Sequence, residues 1–243
     1  MPLPRAILFD LDDTLLRAYA GADKAWTRVA NELAASLAPC DPARLVATIG
    51  PLAQEFWADA ERHRIWRQNL FESRRVIVRR AFEQLAREGV TLADSVAVSV
   101  ADRFTRLRDE EMHLYPDAWD TLDRLRAAGV ALGLVTNGAP ETQRPKIVRF
   151  DLERRFDHIQ IEGEHGFGKP EERAYRHALE KLSVRPHETW MVGDNLEWEV
   201  AAPQRVGIHA IWYDGEARGL PEGSPVRPDR VIRTLAELLA EAE

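Results

Sequence analysis

Ala6-Ile7-Leu8-Phe9-Asp10-Leu11-Asp12-Asp13-Thr14 is the stretch on which the reading of this chain turns. Four apolar residues cut off by an acid describe a short strand buried on both faces, the form strands take in a parallel sheet. Runs of the same kind recur from Val130 to Val135, His158 to Ile161, Thr189 to Val192 and His209 to Trp212. Helical patterns separate or succeed them, near 117–128, 140–150, 171–183, 196–206 and 234–242. Alternation of this kind predicts an α/β fold with a Rossmann-like, doubly wound parallel sheet. In such sheets the ligand site lies beyond the carboxyl ends of the strands.

Residues 18–112 break the alternation. Four helical stretches are expected there, near 20–38, 42–63, 68–88 and 92–112, with Pro39, Pro42 and Gly89 as punctuation. This block reads as an all-helical insertion, and 1–17 with 113–243 as the core domain that carries it. Tyr115-Pro116-Asp117 marks the return to the core, with Pro116 at or just before a helix start. The Gly- and Pro-rich stretch 214–229 reads as a surface loop.

Composition bounds the function classes. A chain of 243 residues with 45% hydrophobic and 30% charged residues is ordinary for a globular protein. Its net charge of -7, without a basic block, disfavours a nucleic-acid scaffold. One cysteine, Cys40, allows neither an internal disulfide nor a thiolate zinc site. Met1-Pro2-Leu3-Pro4-Arg5 leads straight into the first strand, and no apolar stretch is long enough to span a bilayer. A cytoplasmic protein without a membrane role, monomeric or homodimeric, is therefore expected.

Two acids at i and i+2 after a strand are common and weak evidence alone. Their weight comes from polar residues at later strand ends: Thr136-Asn137-Gly138, then Lys169-Pro170 after a glycine-rich turn, then Gly193-Asp194-Asn195. Together with Asp10-Leu11-Asp12-Asp13-Thr14, these resemble the four motifs of the haloacid dehalogenase superfamily. The resemblance covers 5–16 and 114–235. The insertion at 18–112 is similar in position and character to that family's helical cap.

The resemblance implies a Mg²⁺-dependent phosphatase acting on a small phosphorylated metabolite. Asp10 matches the family's nucleophile, which becomes an aspartyl-phosphate, and Asp12 the general acid and base. Lys169 would supply positive charge and Thr136 a hydroxyl to the transferring phosphoryl group, with Asn137 beside them and Thr14 bracing the nucleophile loop. Asp10, the backbone carbonyl of Asp12 and the side chain of Asp194 match the metal ligands, all hard oxygens as Mg²⁺ prefers. The acid two residues after the nucleophile favours phosphate chemistry over the dehalogenase and phosphonatase branches. Lys24, the one lysine in the insertion, reads as a solvated helix residue. A phosphomutase or phosphotransferase using the same residues is the alternative, and a catalytically silent binding protein on this fold is another.

The chain departs from the family after Asp194. Trp198-Glu199 stands where Asn-Asp is frequent, so Glu199 keeps the charge on a side chain one methylene longer. It is expected just outside the metal's ligands, with Trp198 on the core helix or at the mouth of the site. Asn195 is expected either near the metal or as the cap of the next helix. In the insertion, Leu70, Phe71, Ile77, Val78, Ala81, Phe82 and Leu85 form one helical face, with Arg74 near its middle. An arginine amid apolar neighbours needs a partner. It either snorkels, pairs with Glu55, Asp59 or Glu61, or reaches a substrate carboxylate or phosphate. Arg62, His63, Arg64 and Trp66 form a second polar–aromatic group, and His113, His158 and His165 read as isolated.

Overall fold

Ala6, Ile7, Leu8 and Phe9 are each fully excluded from solvent, which an apolar run achieves only with sheet neighbours on both sides and helices on both faces. A computed structural model describes residues 2–19 and 21–239. The strands are β1 (Ala6–Phe9), β2 (Leu16–Arg17), β3 (His113–Leu114), β4 (Ala131–Thr136), β5 (His158–Ile161), β6 (Thr189–Gly193), β7 (His209–Tyr213) and β8 (Arg230–Ile232). The helices are α1 (Ala22–Glu32), α2 (Ala34–Leu37), α3 (Pro42–Ala58), α4 (Ala60–Trp66), α5 (Leu70–Arg87), α6 (Asp94–Glu111), α7 (Ala118–Ala127), α8 (Pro140–Arg149), α9 (Glu162–His165), α10 (Glu172–Leu182) and α11 (Ala202–Val206). Two units result, Met1–Arg17 with His113–Glu243, and Ala18–Met112.

The first unit is a six-stranded sheet in the order β5-β4-β1-β6-β7-β8, every pairing parallel. β1 sits in the middle, with Phe9 opposite Leu134 on one side and Val192 on the other. The chain builds outward to β5, then returns to the far side of β1 to begin β6. That reversal opens a crevice at the carboxyl ends of β4, β1 and β6, where a doubly wound sheet binds ligands. Leu8 anchors the core on one face with Val135, Tyr175, Ala178, Leu179 and Met191.

The second unit is helical. Trp26, Val29, Leu45, Ile49, Phe56, Ile77, Val78, Phe82, Leu85, Val100 and Phe104 belong to one buried cluster in it. Its helix starts are set by capping side chains. Asp41 accepts from the backbone N–H groups of Ala43 and Arg44, with Pro42 in the first turn, and Asn69 accepts from Glu72 N–H.

Several expectations are corrected. The single helix expected over 42–63 is two, because Asp59 adopts an extended conformation, ends α3 and caps α4 by accepting from Arg62 N–H. The stretch 20–38 divides at Leu33, which ends α1 and begins α2. β8 is an addition to the expected strands, being three residues long and partly exposed, with no pattern to reveal it. So is the ribbon that pairs Leu16 with Leu114 and Arg17 with His113. The helix expected over 234–242 is a 3₁₀ segment, Leu235–Leu239, and its last residues lie outside the described residues. Among the described residues no helix is long and apolar enough to cross a membrane.

Candidate active site

The crevice gathers four chain segments. Asp10 follows β1 and is tied to β6 by its own N–H, which donates to the Val192 carbonyl at 3.0 Å. Its side chain is buried, and each oxygen has a partner. Lys169 Nζ donates to Oδ1 at 2.5 Å, and Thr14 Oγ1 donates to Oδ2 at 3.2 Å.

Lys169 is itself fully buried, and Nζ makes a second ion pair with Glu199 Oε1 at 2.7 Å. Burial alone would lower its pKa, but the Asp10 and Glu199 carboxylates outweigh burial and hold it above the ordinary lysine value. Asn137, at the end of β4, fixes the backbone of Lys169. Its Nδ2 donates to the Lys169 carbonyl at 2.8 Å, and its Oδ1 accepts from Lys169 N–H at 2.8 Å. Both polar atoms of Asn137 are thus engaged with the loop. Asn137 therefore braces the Lys169 backbone. Gly168 permits this approach, since a Cβ there would lie 2.5 Å from Asn137 Oδ1.

Asp12 is held by two residues that sequence reasoning missed. Lys146 Nζ donates to its two oxygens at 2.8 and 2.7 Å. Gln143 Nε2 lies 3.0 Å from Asp12 Oδ2 and 2.6 Å from Thr136 Oγ1. Gln143 and Lys146 stand three apart on α8, and both are buried beside Ile147. The available signal was an inward helix face carrying an amide and an ammonium where apolar residues would be expected.

Asp194 follows β6 and is exposed to solvent. Burial of its surroundings and the carboxylates of Glu199, Asp10 and Asp13 push its pKa well above the usual range. Because the side chain is open to water, the charge crowding is the cause that carries weight. Asp10 is likewise raised, by burial and the nearby Asp12, against the opposing pull of Lys169. Burial also raises Glu199, to about 7, with Lys169 opposing. The carboxylates of Asp10 and Glu199 thus share one ammonium, with the Asp194 carboxylate crowded near them.

The haloacid dehalogenase-like hydrolase model matches residues 4–207. The chain belongs to that hydrolase family. It is 37% identical over 198 residues to a phosphoserine phosphatase of Thermus thermophilus, covering 81% of this chain and 71% of the relative. It is 29% identical over 240 residues to a glyceraldehyde 3-phosphate phosphatase of Pyrococcus furiosus, covering 98% and 93%. Its fold resembles that of the HAD-hydrolase YfnB from Bacillus subtilis, with a TM-score of 0.71 at 24% identity over 99% of both chains.

The departure from the family pattern has a structural account. Asn195 Oδ1 accepts from Glu197 and Trp198 N–H groups, capping a π-helical turn, Leu196–Ala201. Glu199 reaches back across that turn, where Oε2 accepts from Asn195 N–H at 2.7 Å while Oε1 meets Lys169. Trp198 is half-buried, and its carbonyl accepts from the Tyr175 hydroxyl at 2.5 Å. His158 and His165, expected to be isolated, gather around His177 with ring centroids 5.5 and 4.9 Å away.

Two measurements test this geometry. A Cβ at Gly193 would overlap Glu199 Cγ, and Glu199 is pinned at both oxygens. Gly193→Ala is therefore expected to lower stability by about 1–3 kcal/mol in urea unfolding; a neutral substitution would show that Glu199 is free to move. In chelated protein, Glu199 keeps its proton in the folded state up to about 7, whereas the unfolded chain releases it near ~4.3. Stability from this group is therefore lost as pH rises through that window. The loss should be visible as a difference between the protein and Glu199→Gln, since His158 and His177, lowered by burial, act in the opposite direction. Identical pH profiles would contradict it.

Proposed function

We propose that this chain is a Mg²⁺-dependent phosphatase that hydrolyses a small phosphomonoester through an aspartyl-phosphate on Asp10. Hydrolysis of phosphoric monoesters accords with its family and with relatives that are themselves phosphatases. The observation that carries the finer reading is the pairing of two carboxylates with two different lysines. Asp10 faces Lys169 and Asp12 faces Lys146, so each acid has its own cationic partner.

Asp10 attacks phosphorus while the ester oxygen departs and takes a proton from Asp12. Asp12 then takes a proton from water as that water attacks the phosphorus of the aspartyl-phosphate, releasing inorganic phosphate and regenerating Asp10. Lys169 and Thr136 are assigned to the phosphoryl oxygens, where positioning and charge neutralisation dominate the rate. Thr14 orients Asp10 through its hydrogen bond. Lys146 Nζ holds both oxygens of Asp12, and that contact must loosen when Asp12 turns to the leaving oxygen.

The residues present suit a divalent cation. Among the described residues no group of three or more His, Cys, Asp or Glu is placed to hold a metal through side chains alone. Mg²⁺ does not require one, since it is commonly held by one or two carboxylates and retains waters. Asp10, Asp194 and the Asp12 carbonyl would be its ligands, with Asn195 and Glu199 behind them. The crowding of acids that raises Asp10, Glu199 and Asp194 is what a cation there would relieve. When bound, the ion supplies charge neutralisation between the Asp10 carboxylate and the incoming phosphate. Substrate selection is assigned to the helical unit, 18–112.

A generic aryl phosphate and a panel of small phosphate esters test the reading. Turnover releasing inorganic phosphate is expected with Mg²⁺ and is lost in chelator. Asp10→Asn should reduce it by at least ~10³-fold. Transfer to a sugar hydroxyl without phosphate release would identify a phosphomutase, and no turnover of any ester by folded protein would favour the silent binding protein. Lys146→Met should lower kcat by about tenfold with a much smaller change in KM, as steady-state kinetics will show. An effect confined to KM would place Lys146 in substrate binding.

A further inference from the structure

Gln143 is 1% exposed, and three oxygens surround its amide nitrogen. Nε2 lies 2.6 Å from Thr136 Oγ1, 3.0 Å from Asp12 Oδ2 and 3.0 Å from the Asn137 carbonyl. All four residues belong to the unit built on the sheet. These neighbours decide the orientation of the amide. A carboxylate and a backbone carbonyl present only lone pairs, so the group that faces them is the NH₂ and not the amide oxygen.

Two of the three oxygens are held by other means. Lys146 Nζ meets both oxygens of Asp12 at 2.8 and 2.7 Å, and the Asn137 side chain ties its loop to the Lys169 backbone. The contact with Thr136 has no such substitute. Thr136 is 2% exposed, and among the described residues Gln143 is the donor that its hydroxyl oxygen accepts from. A hydroxyl that accepts from an amide keeps its own proton for another acceptor. The Asn137 carbonyl, 3.5 Å from Oγ1, is too far for a good O–H···O bond.

Gln143 therefore acts twice on one proton. It fills a lone pair of Oγ1, and it covers the Asp12 carboxylate and the Asn137 carbonyl, towards which that proton would otherwise turn. Left uncovered, the carboxylate would be the preferred acceptor, because a charged acceptor makes the stronger bond. We infer that Gln143 is a positioning residue that orients the Thr136 hydroxyl as a donor to the phosphoryl group, by occupying the acceptors that would compete for its proton. The phosphoryl group as acceptor rests on the phosphatase reading; the orientation of the hydroxyl rests on the amide geometry. A donor already aimed at the place where charge develops needs no reorganisation at the moment of reaction.

A double-mutant cycle in the full chain tests this. Gln143→Met keeps the length of the side chain and removes its donors, and Thr136→Val keeps the shape of Thr136 and removes the hydroxyl. With Thr136 present, Gln143→Met should lower kcat/KM for an aryl phosphate with Mg²⁺ by about tenfold. In the Thr136→Val background no hydroxyl is left to orient, and the same replacement should change it by less than about twofold. Equal losses in the two backgrounds would overturn the inference, since a packing defect acts whether or not the hydroxyl is there. So would an unchanged kcat/KM in folded Gln143→Met. If Gln143→Met does not fold, Gln143→Asn, polar but one methylene shorter, takes its place in the cycle. Should no ester turn over, the phosphatase reading fails, and the cycle is read through the affinity of inorganic phosphate in titration calorimetry. A loss confined to the protein with Thr136 then upholds the orienting role. Equal losses, or no phosphate binding by the unsubstituted protein, overturn it.

Discussion

A lysine with no exposed surface, Lys169, stands between two carboxylates, Asp10 at 2.5 Å and Glu199 at 2.7 Å. Neither acid could be buried there without it, and it could not be buried without them. This triad therefore constrains three parts of the chain that are far apart in sequence: the end of β1, the loop before α10 and the turn after β6. The parallel sheet makes the constraint satisfiable, because those segments all emerge at the same edge. Fold and chemistry meet in one electrostatic requirement, and Asn137 adds to it by fixing the Lys169 backbone on both sides.

The second acid is governed separately. Lys146 and Gln143 come from α8, the helix that follows β4, and hold Asp12 at both oxygens. The two carboxylates stand two residues apart, and Asp12 still adds to the raised pKa of Asp10. Each has a lysine partner of its own, Lys169 for Asp10 and Lys146 for Asp12. Gln143 also links Asp12 to Thr136, so acid, hydroxyl and helix are positioned as a group.

How much of this was legible depended on whether local pattern carried the information. Asp10, Thr136, Lys169 and Asp194 could be placed because each comes after an apolar run or the turn beyond one, and a parallel sheet brings such ends together. The division of the chain at the helical insertion rests on the same loss of alternation. Lys146 was hidden because its partner is 134 residues away, and nothing within α8 says which acid it meets. β8 and the β2–β3 ribbon are too short to display a period. The break at Asp59 had a local signal, since an aspartate can cap a new helix, but an apolar pattern continuing across it masked that signal. Arg74 was legible as an anomaly on its helix face, although the acids considered as its partners do not pair with it.

Glu199 shows how a departure from a family pattern can be absorbed by the backbone. A glutamate in place of an aspartate extends one methylene further, and here its stem packs against the Gly193 backbone at the end of β6. Two features make room. Gly193 has no Cβ where Glu199 Cγ lies, and the wider π-helical turn Leu196–Ala201 replaces the first turn of an ordinary helix. The added length then becomes useful: Glu199 spans from Lys169 Nζ to Asn195 N–H, joining the buried ammonium to the loop that carries Asp194. Tyr175 closes the arrangement from α10 by donating to the Trp198 carbonyl within the same turn. Trp198-Glu199 lies within this wide turn, with the Glu199 side chain at the lysine.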